Sequence, residues 1–202
     1  MAGEVYSGVK FKPVFVLKHL PHHPLLEDLK KWCAVFHERG LTPPYPGGSY
    51  GNLSFRTQNN SFIITGTSIA LQDAHKNASF VEVTYCNMPG KNVYIKGVRE
   101  PSSESFMHHL IYKNRPDVYA VFHGHNALLT QNATRLGIPE TRYKTDYGSV
   151  ALADSVLEIL SGNNFIVIKD HGFVSMAENM QAAGNLALQW LEKAEKIIQN
   201  NF

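Results

Sequence analysis

NLSFRTQNNSFIITGTSIALQDAHKNASFVEVTYCNMPGKNVYIK, residues 52–96, holds four short runs rich in β-branched and aromatic residues: Asn52–Thr57, Ser61–Thr65, Phe80–Cys86 and Asn92–Lys96. Such residues suit a pleated, half-buried surface, and the runs are separated by Asn, Gly, Pro and Lys, which favour turns. Upstream, Leu25, Leu29, Trp32, Cys33 and Phe36 share one helical face between Pro24 and Gly40, which predicts an amphipathic helix. TPPYPGGSYG, residues 42–51, is too rich in Pro and Gly for regular structure and is expected to be a loop. Downstream, Ser103–Asn114 reads as a helix, Tyr119–His125 and Asn164–Ile168 as strands, and Glu178–Ile198 as a long final helix, with helices filling much of the remainder. Strands thus come first as a block and then mix with helices, without regular βαβ alternation. The expectation is an α/β fold with a mostly antiparallel sheet on which helices pack, in one domain spanning residues 1–202.

The chain has 202 residues, 44% of them hydrophobic, enough for a substantial core. A formal charge of +2, with 19 scattered Lys and Arg, does not make the basic face of a nucleic-acid binder. No apolar run approaches the roughly 20 residues that span a bilayer, and Met1–Lys18 lacks the order of a signal peptide. A cytoplasmic protein with neither nucleic-acid nor membrane partners is expected. Cys33 and Cys86 fall in a helix-like and a strand-like pattern and read as buried thiols rather than a disulfide or a zinc ribbon.

His123 and His125 lie two apart at the end of a predicted strand, so both imidazoles point to one side and can share a metal. The alternative is one solvated strand-end histidine and one hydrogen-bonded core histidine. His171 also follows a buried-looking strand, FIVIKD, and precedes Gly172, which lets the backbone pass close to a bound group. Three histidines with an open fourth position suit a catalytic zinc, whereas closed structural sites usually include cysteine. A cupin would place a carboxylate soon after the His-x-His pair, and residues 126–130, NALLT, have none. The other seven histidines read as surface or core.

Pro101-Ser102-Ser103-Glu104 opens a helix. In the simplest reading Ser caps it and Glu104 complements the positive end of its dipole. The same amides and hydroxyls also make an anion site. Asn52 in GNLS and Thr65–Ser68 in ITGTS add short polar groups at strand ends, each of them ordinary turn chemistry on its own.

YGNLSFR, FIITGTS, PSSESFMHHLIY, DVYAVFHGH and VIKDHGFVSM together, in this order, resemble the class II aldolase/adducin family over about Leu25–Ile198. The resemblance implies an αβα three-layer fold around a mostly antiparallel sheet, and a homotetramer with sites between subunits. It makes His123, His125 and His171 metal ligands, for Zn2+ or another divalent transition metal. Glu104 becomes the general base and a ligand of the resting metal. Asn52, Thr67, Ser68, Ser102 and Ser103 become the phosphate-binding set, with Ser68 standing where the aldolase pattern has glycine. The segment between His125 and His171 would supply a tyrosine acid to the adjacent subunit; Tyr143 is placed first and Tyr147 second. Epimerase members carry Asp where this chain has Glu104, and adducin lacks the histidines. The implied activity is reversible aldol cleavage of a phosphorylated sugar, a ketose 1-phosphate, to dihydroxyacetone phosphate and an aldehyde. Dehydration of a methylthioribulose 1-phosphate-like substrate and a non-catalytic interaction module are the alternatives.

Overall fold

The computed structural model describes residues 7–58 and 61–199, so part of the N-terminal stretch read above lies outside the described residues. Its centre is an eight-stranded sheet. The four strands expected between residues 52 and 96 are β4 (Asn52–Arg56), β5 (Phe62–Thr65), β6 (Phe80–Asn87) and β7 (Asn92–Lys96), each antiparallel to the next. Beyond β4 the sheet continues through β8 (Ala120–Gly124), β10 (Gly172–Ala177) and β9 (Phe165–Ile168), again antiparallel at every step. At the other edge β1 (Lys12–Leu17) pairs with β7 in parallel, the only parallel ladder among the described strands.

Strand alternation divides the core between the two sheet faces. Leu53, Phe55, Ile63, Phe122, Phe165 and Phe173 face one way, against α1 (Leu26–Glu38), α3 (Ala127–Gln131), α4 (Ala133–Leu136) and α6 (Met180–Gln199). Ile64, Val81, Val83, Val121, Ile166 and Val174 face the other, against α2 (Ser105–Asn114) and α5 (Val150–Glu158). This is the three-layer arrangement that was expected. The predicted apolar stripe holds from Leu29 onward, where Leu29, Cys33 and Phe36 are wholly buried and Trp32 packs 5.9 Å from the Phe122 ring, but Leu25 is the exposed N-cap residue and Leu26 is buried in its stead. Each such side chain contributes about 1.5–3 kcal/mol of burial. Among the described residues no helix is long and apolar enough to cross a membrane.

The structure corrects the sequence reading at several points. β1 and β10 were not foreseen: GFVSMA lacks a strand-like composition, and it is held as a strand by ladders to β8 and β9 on both sides. The 42–51 segment is not wholly irregular, because β2 (Pro44–Tyr45) and β3 (Gly48–Ser49) form a two-residue hairpin within it. The helix expected from Ser103 begins at Ser105. His171 lies in the turn between β9 and β10 rather than at a free strand end, next to Asp170 at φ 53°.

Candidate active site

His123 is on the α2 face of β8, flanked in register by Asn52 of β4 and Val174 of β10, and it is wholly buried. Glycines close in on both sides of it. A Cβ on Gly51, which sits at φ +87°, would lie 2.7 Å from the His123 carbonyl oxygen. A Cβ on Gly172 would lie 2.4 Å from the Gly124 carbonyl and 2.8 Å from His123 Cε1. Gly172 is therefore required by the packing of the two histidine strands, not only by space for a ligand.

The His123 Nδ1 is 2.8 Å from the Phe173 carbonyl, which can only accept, so Nδ1 donates to it and Nε2 faces the cluster. That Nε2 is 3.0 Å from His125 Nε2, and the ligand atoms of His123, His125 and His171 all lie within 4.8 Å of one another. Ligand nitrogens around a tetrahedral zinc at ~2.0–2.1 Å are about 3.3 Å apart, so this donor set is of the right size. Burial, with the nearby His171 and His123 rings, holds the His125 pKa well below the ordinary histidine value and keeps its ring neutral, as a metal ligand must be. Three converging imidazole nitrogens are a donor set that fits a divalent ion.

Glu104 stands at the N-cap position of α2 but makes no side-chain cap bond. Its carboxylate instead reaches into the cluster: Oε1 is 2.7 Å from His171 Nε2, and Oε2 is 3.0 Å from His123 Nε2. The Asn52 amide donates to Oε2 at 2.7 Å. Burial by itself favours the neutral acid, but the charge and hydrogen bonds of His123 and His171 outweigh it and hold the carboxyl well below the usual range. The reading in which Glu104 only complements the helix dipole does not account for these contacts. The serines do no better as caps: the Ser102 hydroxyl takes the Glu104 N–H at only 3.4 Å.

A single cavity joins these groups. It is lined by Glu104, His125 and His171 together with Asn52, Thr67, Ser68, Ser102 and Ser103. The residues read as a phosphate set are thus brought together beside the histidines. Ser68 adopts φ 54°, the left-handed region that favours glycine and the position where the family pattern has one. Asn52 Oδ1 is buried without a hydrogen-bond partner. Of the two tyrosines, Tyr147 lines the cavity and is 8% exposed, with its hydroxyl bonded to Ser7 and Gly8. Tyr143 is 61% exposed and outside the cavity of its own chain. Sequence reasoning missed Tyr45 and Tyr50, which also line the cavity; their rings lie 4.9 Å apart, and Tyr50 lies 5.2 Å from the His125 ring. The hairpin that presents them was read only as an unusual loop.

Behind the site, His108 is wholly buried, and burial lowers its pKa to about 3, with the His123 charge adding to the shift. An unfolded chain would protonate this ring near 6.5, so the folded state binds fewer protons and loses stability as pH falls from about 6.5 towards 3. The expected result is a rise in the unfolding constant of up to about tenfold per pH unit below that point from this ring alone. Urea unfolding at pH 7 and pH 5 checks it: His108→Asn should show a smaller drop in midpoint than the wild type, and an equal drop would assign the acid sensitivity to other groups.

The chain is similar in sequence and fold to known proteins. The chain is 30% identical to an L-fuculose phosphate aldolase of Methanococcus maripaludis, over 78% of this chain and 87% of that protein. It is 29% identical to a 5-methylthioribulose-1-phosphate/5-deoxyribulose-1-phosphate aldolase of Rhodospirillum rubrum, over 74% and 71%. It is 31% identical to a fluorothreonine transaldolase of Streptantibioticus cattleyicolor over 67% of this chain, which spans only 20% of that longer protein. A solved L-fuculose 1-phosphate aldolase superposes with a TM-score of 0.72 at 26% identity, covering 91% of this chain and 90% of that one. Residues 27–198, which carry β4 to β10, Glu104 and all three histidines, match the family model for the Class II Aldolase and Adducin N-terminal domain, and the chain belongs to that family.

Proposed function

We propose that the protein is a zinc-dependent lyase that reversibly cleaves a ketose 1-phosphate to dihydroxyacetone phosphate and an aldehyde. The observation that carries this reading is the Glu104 carboxylate, buried against three convergent histidines in the cavity that Thr67, Ser68, Ser102 and Ser103 also line. Two aldolases among the relatives are named for phosphorylated ketoses, including a methylthioribulose 1-phosphate, so that substrate class does not itself favour dehydration. A divalent ion held by His123, His125 and His171, with Glu104 as a further ligand at rest, supplies a Lewis acid for the ketone and its developing oxyanion.

The chain's own groups do the rest. Hydroxyls of Ser102, Ser103, Thr67 and Ser68 and the Asn52 amide hold the phosphate by neutral hydrogen bonds. In cleavage the Glu104 carboxylate takes the C4 hydroxyl proton, directly or relayed through a tyrosine hydroxyl that hydrogen-bonds the C4 oxygen, and the C3–C4 bond breaks with its electron pair passing into a C2–C3 enediolate. Glu104 then returns that proton to C3. The family resemblance supports a cytoplasmic homotetramer with sites between subunits, in which the exposed Tyr143 reaches a neighbour's site and Tyr147 stays in its own.

The test is release of dihydroxyacetone phosphate, followed by a coupled reductase, from L-fuculose 1-phosphate, 5-deoxyribulose 1-phosphate and methylthioribulose 1-phosphate. Loss of water without carbon–carbon cleavage would replace this reading with the dehydratase, and a chain with neither turnover nor bound metal would be an interaction module. The phosphate pocket has its own test. The Ser102→Ala/Ser103→Ala double variant is expected to raise KM for the phosphorylated substrate at least ~10-fold, since hydrogen bonds to a charged group contribute roughly 1.5–3 kcal/mol each. An unchanged preference for dihydroxyacetone phosphate over free dihydroxyacetone in the synthetic direction would place the phosphate elsewhere.

A further inference from the structure

Three alternate residues of β4 face three positions one helical turn apart, the N-cap Glu104 and then His108 and Tyr112 of α2, and each pair is joined by polar contacts rather than apolar ones. Asn52 donates to Glu104 at 2.7 Å. The Ser54 hydroxyl lies 2.7 Å from His108 Nδ1 and 2.7 Å from the Tyr112 hydroxyl. Arg56 donates to the Tyr112 carbonyl at 2.6 Å, and its guanidinium lies 4.9 Å from the Tyr112 ring centroid. Asn52/Ser54/Arg56 follow the strand period, and Glu104/His108/Tyr112 follow the helix period, so the two elements are fastened in one register.

Apolar packing lets a helix slide or rotate by fractions of an ångström at small cost. Hydrogen bonds weaken steeply with distance and angle, and in a buried layer water cannot replace them. The middle pair is wholly buried on both sides. Packing alone does not call for an imidazole at position 108: His108 Nε2 is buried with no partner, and a phenylalanine would fill the space against Phe62 without that cost. What phenylalanine lacks is Nδ1. The His108 backbone N–H also bonds to the Glu104 carbonyl at 3.3 Å, so the ring is tied to the turn that carries the carboxylate.

We propose that His108 is a positioning residue: through Ser54 and Tyr112 it sets the rotation and height of α2 over β4, and so places the Glu104 carboxylate against Asn52 and the histidines. The kinetic part of this proposal rests on the lyase reading above; the placement of Glu104 does not.

The experiment compares Ser54→Ala, His108→Phe and His108→Asn, the last keeping a nitrogen near the Nδ1 position. With metal-loaded protein and a cleaved ketose 1-phosphate, Ser54→Ala and His108→Phe are expected to lower kcat by ~10–10²-fold, as misplacing a catalytic group by a fraction of an ångström does. KM should stay within about twofold because the phosphate-binding hydroxyls of Thr67, Ser68, Ser102 and Ser103 are untouched, and His108→Asn should recover most of kcat. In metal-free, 15N-histidine-labelled protein, the His171 Nε2 resonance reports its bond to Glu104. It should move in Ser54→Ala and His108→Phe and return in His108→Asn. A wild-type His171 resonance in both Ser54→Ala and His108→Phe overturns the proposal, as does a fall in kcat that follows only the folded fraction. If His108→Phe does not fold, the smaller lesion Ser54→Ala decides. A wild-type protein without lyase turnover would remove the lyase reading alone, because the resonance needs no substrate.

Discussion

Glu104→Gln is expected to lower turnover by ~10²–10⁴-fold, the usual contribution of a positioned acid–base group, while leaving the fold and most of the bound metal intact. The amide is nearly the same size as the carboxylate, so the buried niche between Asn52, His123 and His171 remains filled. It can still hydrogen-bond there, but it has no proton to lend or take at C3. Three histidines remain to hold the ion. The check is kcat and KM alongside metal content by elemental analysis. Near-normal kcat in a folded, metal-loaded variant would remove Glu104 from the chemistry and leave it a buried partner of the histidines.

His123→Ala should have an effect as large on metal content. About one divalent ion per wild-type chain is expected after dialysis, and close to none in the variant, with turnover lost in step. His123 is the most deeply placed of the three: it is wholly buried, oriented by the Phe173 carbonyl, and in register between Asn52 and Val174. An alanine there removes a ligand from a three-ligand site. It also leaves the Phe173 carbonyl without its side-chain partner, a cost of about 1–3 kcal/mol if water cannot enter. Circular dichroism separates metal loss from unfolding. Full metal occupancy in the folded variant would mean that β8 is not the metal strand, and an ion bound elsewhere would then have to be sought.

Much of this site was legible in one dimension because strands and helices turn spacing into direction. Two residues separated by one position along an extended chain point the same way, so His123 on β8 and His125 just past its end announced a shared target before any fold was known. The serines and Glu104 were equally visible at a helix start, but their role was not. A capping glutamate and a catalytic one have the same local sequence, and only the meeting of α2 with β8 and the β9–β10 turn shows the carboxylate at 2.7 Å from His171 instead of on the helix end. His108 is the sharper case. Its neighbours in sequence suggest only a buried or surface histidine, and its hydrogen-bond partner Ser54 is 54 positions away.

The sequence by itself determined the antiparallel block of strands, the amphipathic first helix, the three metal-ligand candidates and the family, since each depends on period, residue type or motif order along the chain. Tertiary structure alone decided that GFVSMA is a strand, that Gly172 serves the close approach of the histidine strands, that Tyr147 rather than Tyr143 lines the cavity of its own chain, and that β4 and α2 are fastened by polar pairs. The physical reason is one of range. Propensity and periodicity act between residues a few positions apart, whereas ladder pairing, burial and hydrogen-bond geometry depend on which distant segment arrives alongside.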